Sequence, residues 1–150
     1  MRVVIQRVLK AEVSINETIH STIDQGYLLL LGISDEDTTE DADYIVKKIS
    51  ALRIFNDLQG KMNLSIEDTN GQILLISQFT LFAETKKGNR PGFTHAARPE
   101  QAIPLYEYVK NSLILKDIHV KTGVFGADMQ VSLINDGPVT IIIDSKQRDY

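Results

Sequence analysis

The chain has 150 residues, of which 43% are hydrophobic and 24% are charged, and it contains no cysteine. A chain of this length builds a single domain, residues 1–150, with a sizeable core, and its composition excludes disordered, collagen-like and disulfide-stapled proteins. The net charge of −4 provides no global positive field, so nucleic acid would have to be held at a local site.

The first half of the chain predicts strands followed by one helix. Residues 2–9 are rich in Val and Ile, and residues 12–16 alternate between polar and apolar side chains, which favours two early strands. The run from Gly26 to Ile33 is apolar between its glycines; it is too short to span a membrane and predicts a strand buried on both faces. From Thr38, apolar residues recur at steps of three and four, behind acidic and ahead of basic residues, which predicts an amphipathic helix.

The second half predicts a strand, a long loop, a helix and further strands. Asn70-Gly71 is typical of a hairpin turn and precedes an apolar strand over residues 72–82. Residues 85–98 lack periodicity and contain glycine and proline, which predicts a long loop, and a helix follows Pro99. Three more strands are predicted over residues 118–122, 129–134 and 139–143. This order indicates a mixed α/β fold with mainly antiparallel sheets and helices on one side.

Common catalytic and nucleotide-binding motifs are absent from the sequence. It has no Gly-x-Gly-x-x-Gly, Walker, Gly-x-Ser-x-Gly or His-Glu-x-x-His pattern, which argues against nucleotide hydrolysis and zinc hydrolysis. His20, His95 and His119 are scattered, and two of them lie in predicted strands. We expect surface roles for these histidines rather than catalysis or metal binding.

Basic charge is concentrated in the predicted loop. Lys86, Lys87, Arg90 and Arg98 give +4 over residues 85–98 with no acid between them. In a chain of net negative charge, such a cluster favours contact with phosphates. The alternative is a solvated loop whose basic residues bind nothing.

Polar residues interrupt the predicted strand at Ser77, Gln78 and Thr80. An unpaired polar group costs roughly 1–3 kcal/mol when buried, so these side chains need partners. Strand alternation predicts that Gln78 and Thr80 share one face and can flank a bound group, and that Ser77 and Thr80 form no dyad. The alternative is a strand end whose polar side chains bond neighbouring backbone.

Gly137-Pro138 stands between two predicted strands. Proline removes a hydrogen bond from a sheet, so the pair predicts a turn or a strand start. A peptide bond before proline can also be cis at a cost of about 0.5–1 kcal/mol.

Four sequence motifs occur in a characteristic order and spacing. They are Ser77-Gln78-Phe79-Thr80-Leu81, Lys87-Gly88-Asn89-Arg90-Pro91, Gly123-x-Phe125-Gly126-Ala127-Asp128-Met129 and Asn135-Asp136-Gly137-Pro138-Val139-Thr140. Together they resemble the D-aminoacyl-tRNA deacylase family. The likeness begins at Val4-Ile5-Gln6-Arg7-Val8 and covers nearly the whole chain.

The resemblance implies two packed, mainly antiparallel β-sheets with two helices on one side, a three-layer β/β/α fold. It implies a cytoplasmic homodimer, with an active site at the subunit interface for each chain. Such enzymes hydrolyse the ester that joins a D-amino acid to the 3′-terminal adenosine of tRNA, and they also accept glycyl-tRNA. No cofactor, metal, membrane or DNA partner is expected.

The resemblance also implies roles for particular residues. The Gly137-Pro138 peptide would be cis and would project into the other subunit's pocket, where its carbonyls hold the α-ammonium and its rigid main chain excludes L side chains. Arg7 would buttress this motif. The other implied roles are catalysis for Ser77, Gln78, Phe79 and Thr80, substrate binding for Phe125 and Met129, and tRNA binding for Lys86, Lys87 and Arg90.

An aminoacyl ester is already activated, so its hydrolysis needs mainly a positioned water and donors for the developing oxyanion. The backbone amides of Phe79 and Thr80 are candidates, and the resemblance implies that the tRNA 2′-hydroxyl assists the water. Thr80 as a covalent nucleophile is an alternative that needs a neighbouring base. Two rival functions stay open at this point: a Thr80-dependent esterase of small molecules and a non-catalytic RNA-binding module.

Overall fold

The computed structural model describes residues 1–149, which form one large curled sheet, one two-stranded sheet and three α-helices. The elements are β1 (Arg2–Ile15), β2 (Thr18–Ile23), β3 (Gly26–Gly32), α1 (Thr39–Ala51), β4 (Phe55–Asn56), β5 (Met62–Leu64), α2 (Ile66–Thr69), β6 (Gln72–Ser77), a 3-10 helix (Phe79–Phe82), α3 (Pro99–Ile114), β7 (His119–Thr122) and β8 (Gln130–Asp144). No helix among residues 1–149 has the length and apolarity needed to cross a membrane.

Strand β1 organises the large sheet because it pairs antiparallel with three other strands. β2 and β3 follow one another along one edge of β1, and β8 runs along its other edge. β6 and β7 then extend the sheet from β3 in parallel. The far strands approach each other, since the Ser21 hydroxyl of β2 donates to the Thr122 carbonyl of β7 at 2.7 Å. The sheet is therefore nearly closed.

The curl of the sheet creates two apolar cores. Leu29 and Leu75 belong to the core between the sheet and the helices, whereas Leu28 and Leu74 belong to the core inside the curl. Strands β3 and β6 are thus buried on both faces, which explains why they are apolar without alternation. This confirms the double-sided burial predicted for Gly26–Ile33.

Several sequence predictions are confirmed. The α/β class holds, and helices occur after Thr38 and from Pro99. At the start of α1 the backbone amide of Thr38 donates to Asp41 at 3.0 Å, which satisfies an end of the helix. Residues 85–98 contain no helix or strand and form the predicted loop.

Other predictions are wrong in detail. The two early strands are one continuous β1, and β2 and the hairpin of β4 and β5 were not predicted. Asn70 is not in a hairpin turn: it adopts a left-handed conformation that ends α2, a third helix. The predicted strand over residues 72–82 stops at Ser77 and turns into the 3-10 helix.

The strand pairing is mainly antiparallel, as predicted, and β3, β6 and β7 are the strands that pair in parallel. The two packed layers of strands belong to one curled sheet. The predicted strands 129–134 and 139–143 are one strand, β8, because Gly137-Pro138 forms an outward excursion instead of a chain reversal.

Candidate active site

A pocket of about 280 Å³ opens beside the end of β6. Ser77, Gln78 and Phe79 form one wall, and Phe125 and Met129 belong to the other. Most of its remaining lining is apolar. The structure therefore brings together five of the predicted site residues from two distant parts of the chain.

The first wall is a strand that changes into a turn. The Gln78 amide still donates to the Leu31 carbonyl of β3 at 2.8 Å, as a strand residue would. The first hydrogen bond of the 3-10 helix runs from the Leu81 amide to the Gln78 carbonyl at 3.3 Å. The amides of Phe79 and Thr80 precede that bond, so the turn itself supplies no acceptor for them.

The side chains of this wall differ from the strand prediction. Gln78 and Thr80 do meet, because the Gln78 side-chain amide donates to the Thr80 hydroxyl, but the turn and not a shared strand face brings them together. Thr80 is exposed and lies outside the lining of the pocket. Phe79 is 56% exposed, and its ring meets that of Phe93 edge to face at 5.0 Å.

The second wall is held by packing against the helix layer. The ring of Phe125 lies edge to face with Tyr106 of α3, at 5.9 Å between centroids. Burial raises the pKa of Tyr106 well above its usual range, with a further contribution from Glu107, so its hydroxyl stays neutral and donates to the Leu75 carbonyl at 2.7 Å. Gly123 leaves room for the thioether, since a Cβ there would lie 2.5 Å from Met129 Sδ.

Gly137 and Pro138 lie outside this pocket and are exposed. Within β8, Asn135 is paired with Val8 and Thr140 with Gln6, so four residues of β8 stand opposite the single residue between them on β1. This local excess pushes the Gly137-Pro138 peptide, which is cis, out of the sheet.

Arg7 is the residue opposite the excursion, and it is only 5% exposed. Its guanidinium donates to the Asp136 carbonyl at 3.0 Å and to the Ile54 carbonyl at 2.5 Å, and it lies 3.2 Å from the Asp136 carboxylate. Asn135 adds bonds of 3.0 Å to the carbonyls of Arg7 and Val139. The excursion is thus fixed from beneath.

The conformation of Gly137 is one that favours glycine, with φ of +146°. A Cβ there would lie 2.6 Å from both the backbone nitrogen and a methyl group of Val139.

Near Arg7, burial raises the pKa of the Tyr27 hydroxyl well above its usual range, although the charge of Arg7 acts in the opposite direction.

Lys86, Lys87 and Arg90 are exposed on the loop that follows the 3-10 helix. Backbone bonds between Glu84 and Gly92 close this loop at its base. The base of the loop at Glu84 therefore lies two residues beyond the end of the 3-10 helix, which begins in the first wall of the pocket.

Sequence reasoning missed several residues that hold or line these regions. Asn135 and Ile54 hold Arg7 and the excursion, and Asp128 is the one ionisable residue in the lining of the pocket as described for residues 1–149. Asn135 and Asp128 lie inside motifs that the sequence had already distinguished, whereas the backbone carbonyl of Ile54 gives no sequence signal. No group of three or more His, Asp or Glu among the described residues is placed to hold a metal ion.

The chain is similar over residues 4–144 to the protein-family model described as D-Tyr-tRNA(Tyr) deacylase. A solved structure described as "c-Myc DNA Unwinding Element Binding Protein" is 42% identical, with a TM-score of 0.90, and the match covers 96% of this chain and 98% of that one. A second, described as a "probable eukaryotic D-amino acid tRNA deacylase", is 17% identical, with a TM-score of 0.82, and the match covers 95% of this chain and 97% of that one. At that identity the second likeness concerns the fold alone.

Proposed function

The chain belongs to the D-Tyr-tRNA(Tyr) deacylase family, hydrolases that act on the ester bond of D-aminoacyl-tRNA, and we propose a detailed mechanism for its deacylation reaction. In this mechanism the pocket beside β6 receives the 3′-terminal aminoacyl-adenosine. The observation that carries the proposal is the 3-10 turn at Phe79, whose first amides lie in and beside the pocket wall without acceptors within the turn.

These amides serve as donors to the ester oxygen as it becomes negatively charged. Preorganised backbone donors are effective in this role because they need no rearrangement during the reaction. The attacking water is activated by the 2′-hydroxyl of the terminal adenosine, which the substrate itself brings. Catalysis then requires no histidine, cysteine or metal ion from the protein.

Thr80 contributes position rather than a covalent bond. Its hydroxyl accepts a hydrogen bond from the Gln78 amide, and an amide N–H cannot take a proton from a nucleophile. This contact disfavours the Thr80-dependent esterase and leaves Thr80 and Gln78 as a pair that stabilises the turn.

Substrate chirality is read by Gly137 and Pro138 of the other subunit of a homodimer. Three observations support this: both residues are exposed, they lie outside their own chain's pocket, and Arg7 fixes the backbone beneath them. A fixed main-chain wall next to the α-carbon leaves room for hydrogen but not for the side chain of an L-residue. The carbonyls of this segment hold the α-ammonium. Glycine has no side chain to exclude, so glycyl-tRNA is a further substrate.

Dimer formation is supported by the free edge of β8. Among residues 1–149, β8 pairs with β1 alone, which leaves its other edge open along 15 residues. Leu9, Ile134 and Ile142 are each about half exposed on these two strands. Long unpaired edges with apolar side chains are typical sites of association between chains.

The remaining predicted residues bind the nucleic acid. Phe125 and Met129 offer an apolar wall for the terminal base, and Lys86, Lys87 and Arg90 contact phosphates of the tRNA. The enzyme would work in the cytoplasm, where its substrate is made. Duplex DNA is not proposed as a partner, because a chain of net charge −4 has no global positive field to hold it.

The test is to incubate the protein with D-tyrosyl-tRNA and L-tyrosyl-tRNA and to follow loss of the ester. We expect rapid deacylation of the D form and little action on the L form. Equal rates on both forms would contradict the proposed chiral filter. Binding without turnover would favour the RNA-binding module, and hydrolysis of small esters with no action on tRNA would favour the esterase.

A further inference from the structure

The loop that carries Lys86, Lys87 and Arg90 is closed at its base by several contacts. The backbones of Glu84 and Gly92 exchange two hydrogen bonds, of 2.8 and 3.0 Å. The Glu84 carboxylate also accepts a bond from the Thr94 hydroxyl and lies 3.4 Å from Nε2 of His95. The loop therefore leaves the fold and returns to it at a single tied point.

The chain segments immediately before and after this closed base both adjoin the pocket. The 3-10 helix Phe79–Phe82 comes immediately before it, and Phe79 is a lining residue. After it come Phe93, whose ring meets that of Phe79, and Ala97, which also lines the pocket. The Ala97 amide donates to the Ile33 carbonyl at 2.9 Å, so the returning segment is anchored to the sheet.

Phe79 depends on few neighbours for its position. Phe79 is 56% exposed, although it begins the 3-10 turn whose amides, in the proposed mechanism, bind the ester oxygen. The ring of Phe93 meets it edge to face at 72° and 5.0 Å, a favoured geometry for aromatic pairs. Reaction rates are sensitive to sub-ångström displacement of such donors.

We propose that Phe93 is a positioning residue for deacylation, a role that rests on the function proposed above. Its ring holds Phe79, and with it the first amides of the 3-10 helix, in the place where they meet the ester oxygen. Glu84 acts one step further away, because its bonds to Gly92 and Thr94 keep Phe93 against Phe79.

The experiment compares Phe93→Ala with the wild type on two substrates, D-tyrosyl-tRNA and 3′-O-(D-tyrosyl)adenosine. We expect kcat to fall about tenfold on both substrates while KM changes less than about twofold, since the oxyanion donors move but the binding surfaces stay. Glu84→Ala, which removes the acceptor of the Thr94 hydroxyl, should lower kcat in the same direction by a smaller factor. The loss on the adenosine substrate is essential, because that substrate does not reach the basic loop.

A structural readout accompanies the rates. The amide resonances of Phe79 and Thr80 in a ¹H–¹⁵N spectrum should shift in Phe93→Ala, and Phe93→Leu, which keeps most of the volume, should recover part of kcat. Ile114→Ala, a matched loss of a half-exposed apolar side chain at the end of α3, should leave rates and these resonances unchanged. If Phe93→Ala does not fold, Phe93→Leu must show the kcat loss in milder form.

The outcomes separate the two proposals. A wild type that deacylates D-tyrosyl-tRNA together with a Phe93→Ala variant of unchanged kcat overturns the role of Phe93 and leaves the proposed function standing. An increase in KM for tRNA alone also overturns it, because Phe93 would then serve RNA binding. A wild type without activity on D-tyrosyl-tRNA contradicts the proposed function, and the role of Phe93 falls with it.

Discussion

The segment at residues 77–82, which begins with one wall of the pocket, and the excursion of β8 at residues 136–139 both interrupt a strand, but they are stabilised in different ways. The pocket wall is partly exposed, and a ring contact and a side-chain hydrogen bond hold it from the side. The excursion rests on the buried guanidinium of Arg7, which binds backbone from two directions. One region is a concave surface with free backbone donors, and the other is a fixed projection. This division suits a site in which one part receives the substrate and the other excludes the wrong enantiomer.

Removal of the support beneath the projection should have the largest effect. In Arg7→Met the carbonyls of Ile54 and Asp136 lose their donor in a buried region, and we expect the free energy of unfolding to fall by about 3 kcal/mol. Deacylase activity should fall with it. Urea unfolding at fixed protein concentration measures the loss. Arg53→Met is the control: Arg53 is exposed and also binds backbone, at Asn63, so its loss should cost less than about 1 kcal/mol. Equal losses of stability in the two variants would contradict the proposal that buried Arg7 is a main support of the projection.

A change at the tip of the projection should act mainly on activity and selectivity. The new Cβ in Gly137→Ala meets Val139 at 2.6 Å in a conformation that favours glycine, so the local backbone must move. We expect the rate on D-tyrosyl-tRNA to fall by about tenfold or more, with a smaller preference for D over L. Both rates are measured at matched dimer concentration. Gly60→Ala is the control, because Gly60 also has a positive φ but has open space around it. Wild-type selectivity in Gly137→Ala would exclude Gly137 from the chiral filter.

The segment at residues 77–82 should tolerate loss of the Thr80 hydroxyl. Thr80→Ala removes one contact with Gln78 and no covalent step, so deacylation should remain within about tenfold of the wild type. Single-turnover assays should detect no acyl-enzyme in the wild type. Complete inactivity of a folded Thr80→Ala dimer, together with a trapped acyl-enzyme, would identify Thr80 as a nucleophile.

The basic loop beside the pocket wall should give the smallest effect on chemistry and a clear effect on binding. Replacement of Lys86, Lys87 and Arg90 by Ala should weaken tRNA binding and flatten its salt dependence, by roughly 0.7 in the log–log slope for each lost contact with single-stranded phosphate. Fluorescence anisotropy over a range of salt concentrations measures this slope. A second triple variant, at the exposed Lys47, Lys61 and Lys116, changes charge equally and should leave the slope unchanged. Identical slopes for both variants would mean that the basic loop is a solvated surface that makes no specific contacts with tRNA phosphates.

The sequence predicted these two regions unequally, and the reason is physical. Apolar patterning was sufficient for β3, α1 and α3, because burial on one or both faces leaves a periodic signal. Polar residues mark the motif at residues 77–81 as unusual, but the apolar pattern around them predicts a strand where the structure has a turn. The turn at Phe79 depends on contacts with Phe93, which lies 14 positions later and leaves no local pattern.

The excursion of β8 was harder to predict. Glycine followed by proline suits a chain reversal equally well, and only the pairing of β8 with β1 on both sides of residues 136–139 shows that the strand continues. The buried role of Arg7 likewise depends on carbonyl groups, which every residue possesses. Whether Gly137 and Pro138 enter the pocket of a second subunit, as proposed, is a question about two chains, and it can be answered by mixing two variants.

The most direct test of a site divided between two chains is complementation. One variant, Gly137→Ala, keeps an intact pocket, and the other, Ala127→Trp, fills the pocket but keeps an intact projection. The two are mixed, dissociated and reassociated, and activity on D-tyrosyl-tRNA is measured at constant total protein. Random reassociation of a symmetric dimer gives half mixed dimers with one restored site each, so we expect activity of about a quarter of the wild type. Activity no greater than the mean of the two separate variants would contradict a site divided between two chains. Each pocket would then work with the Gly137-Pro138 projection of its own chain.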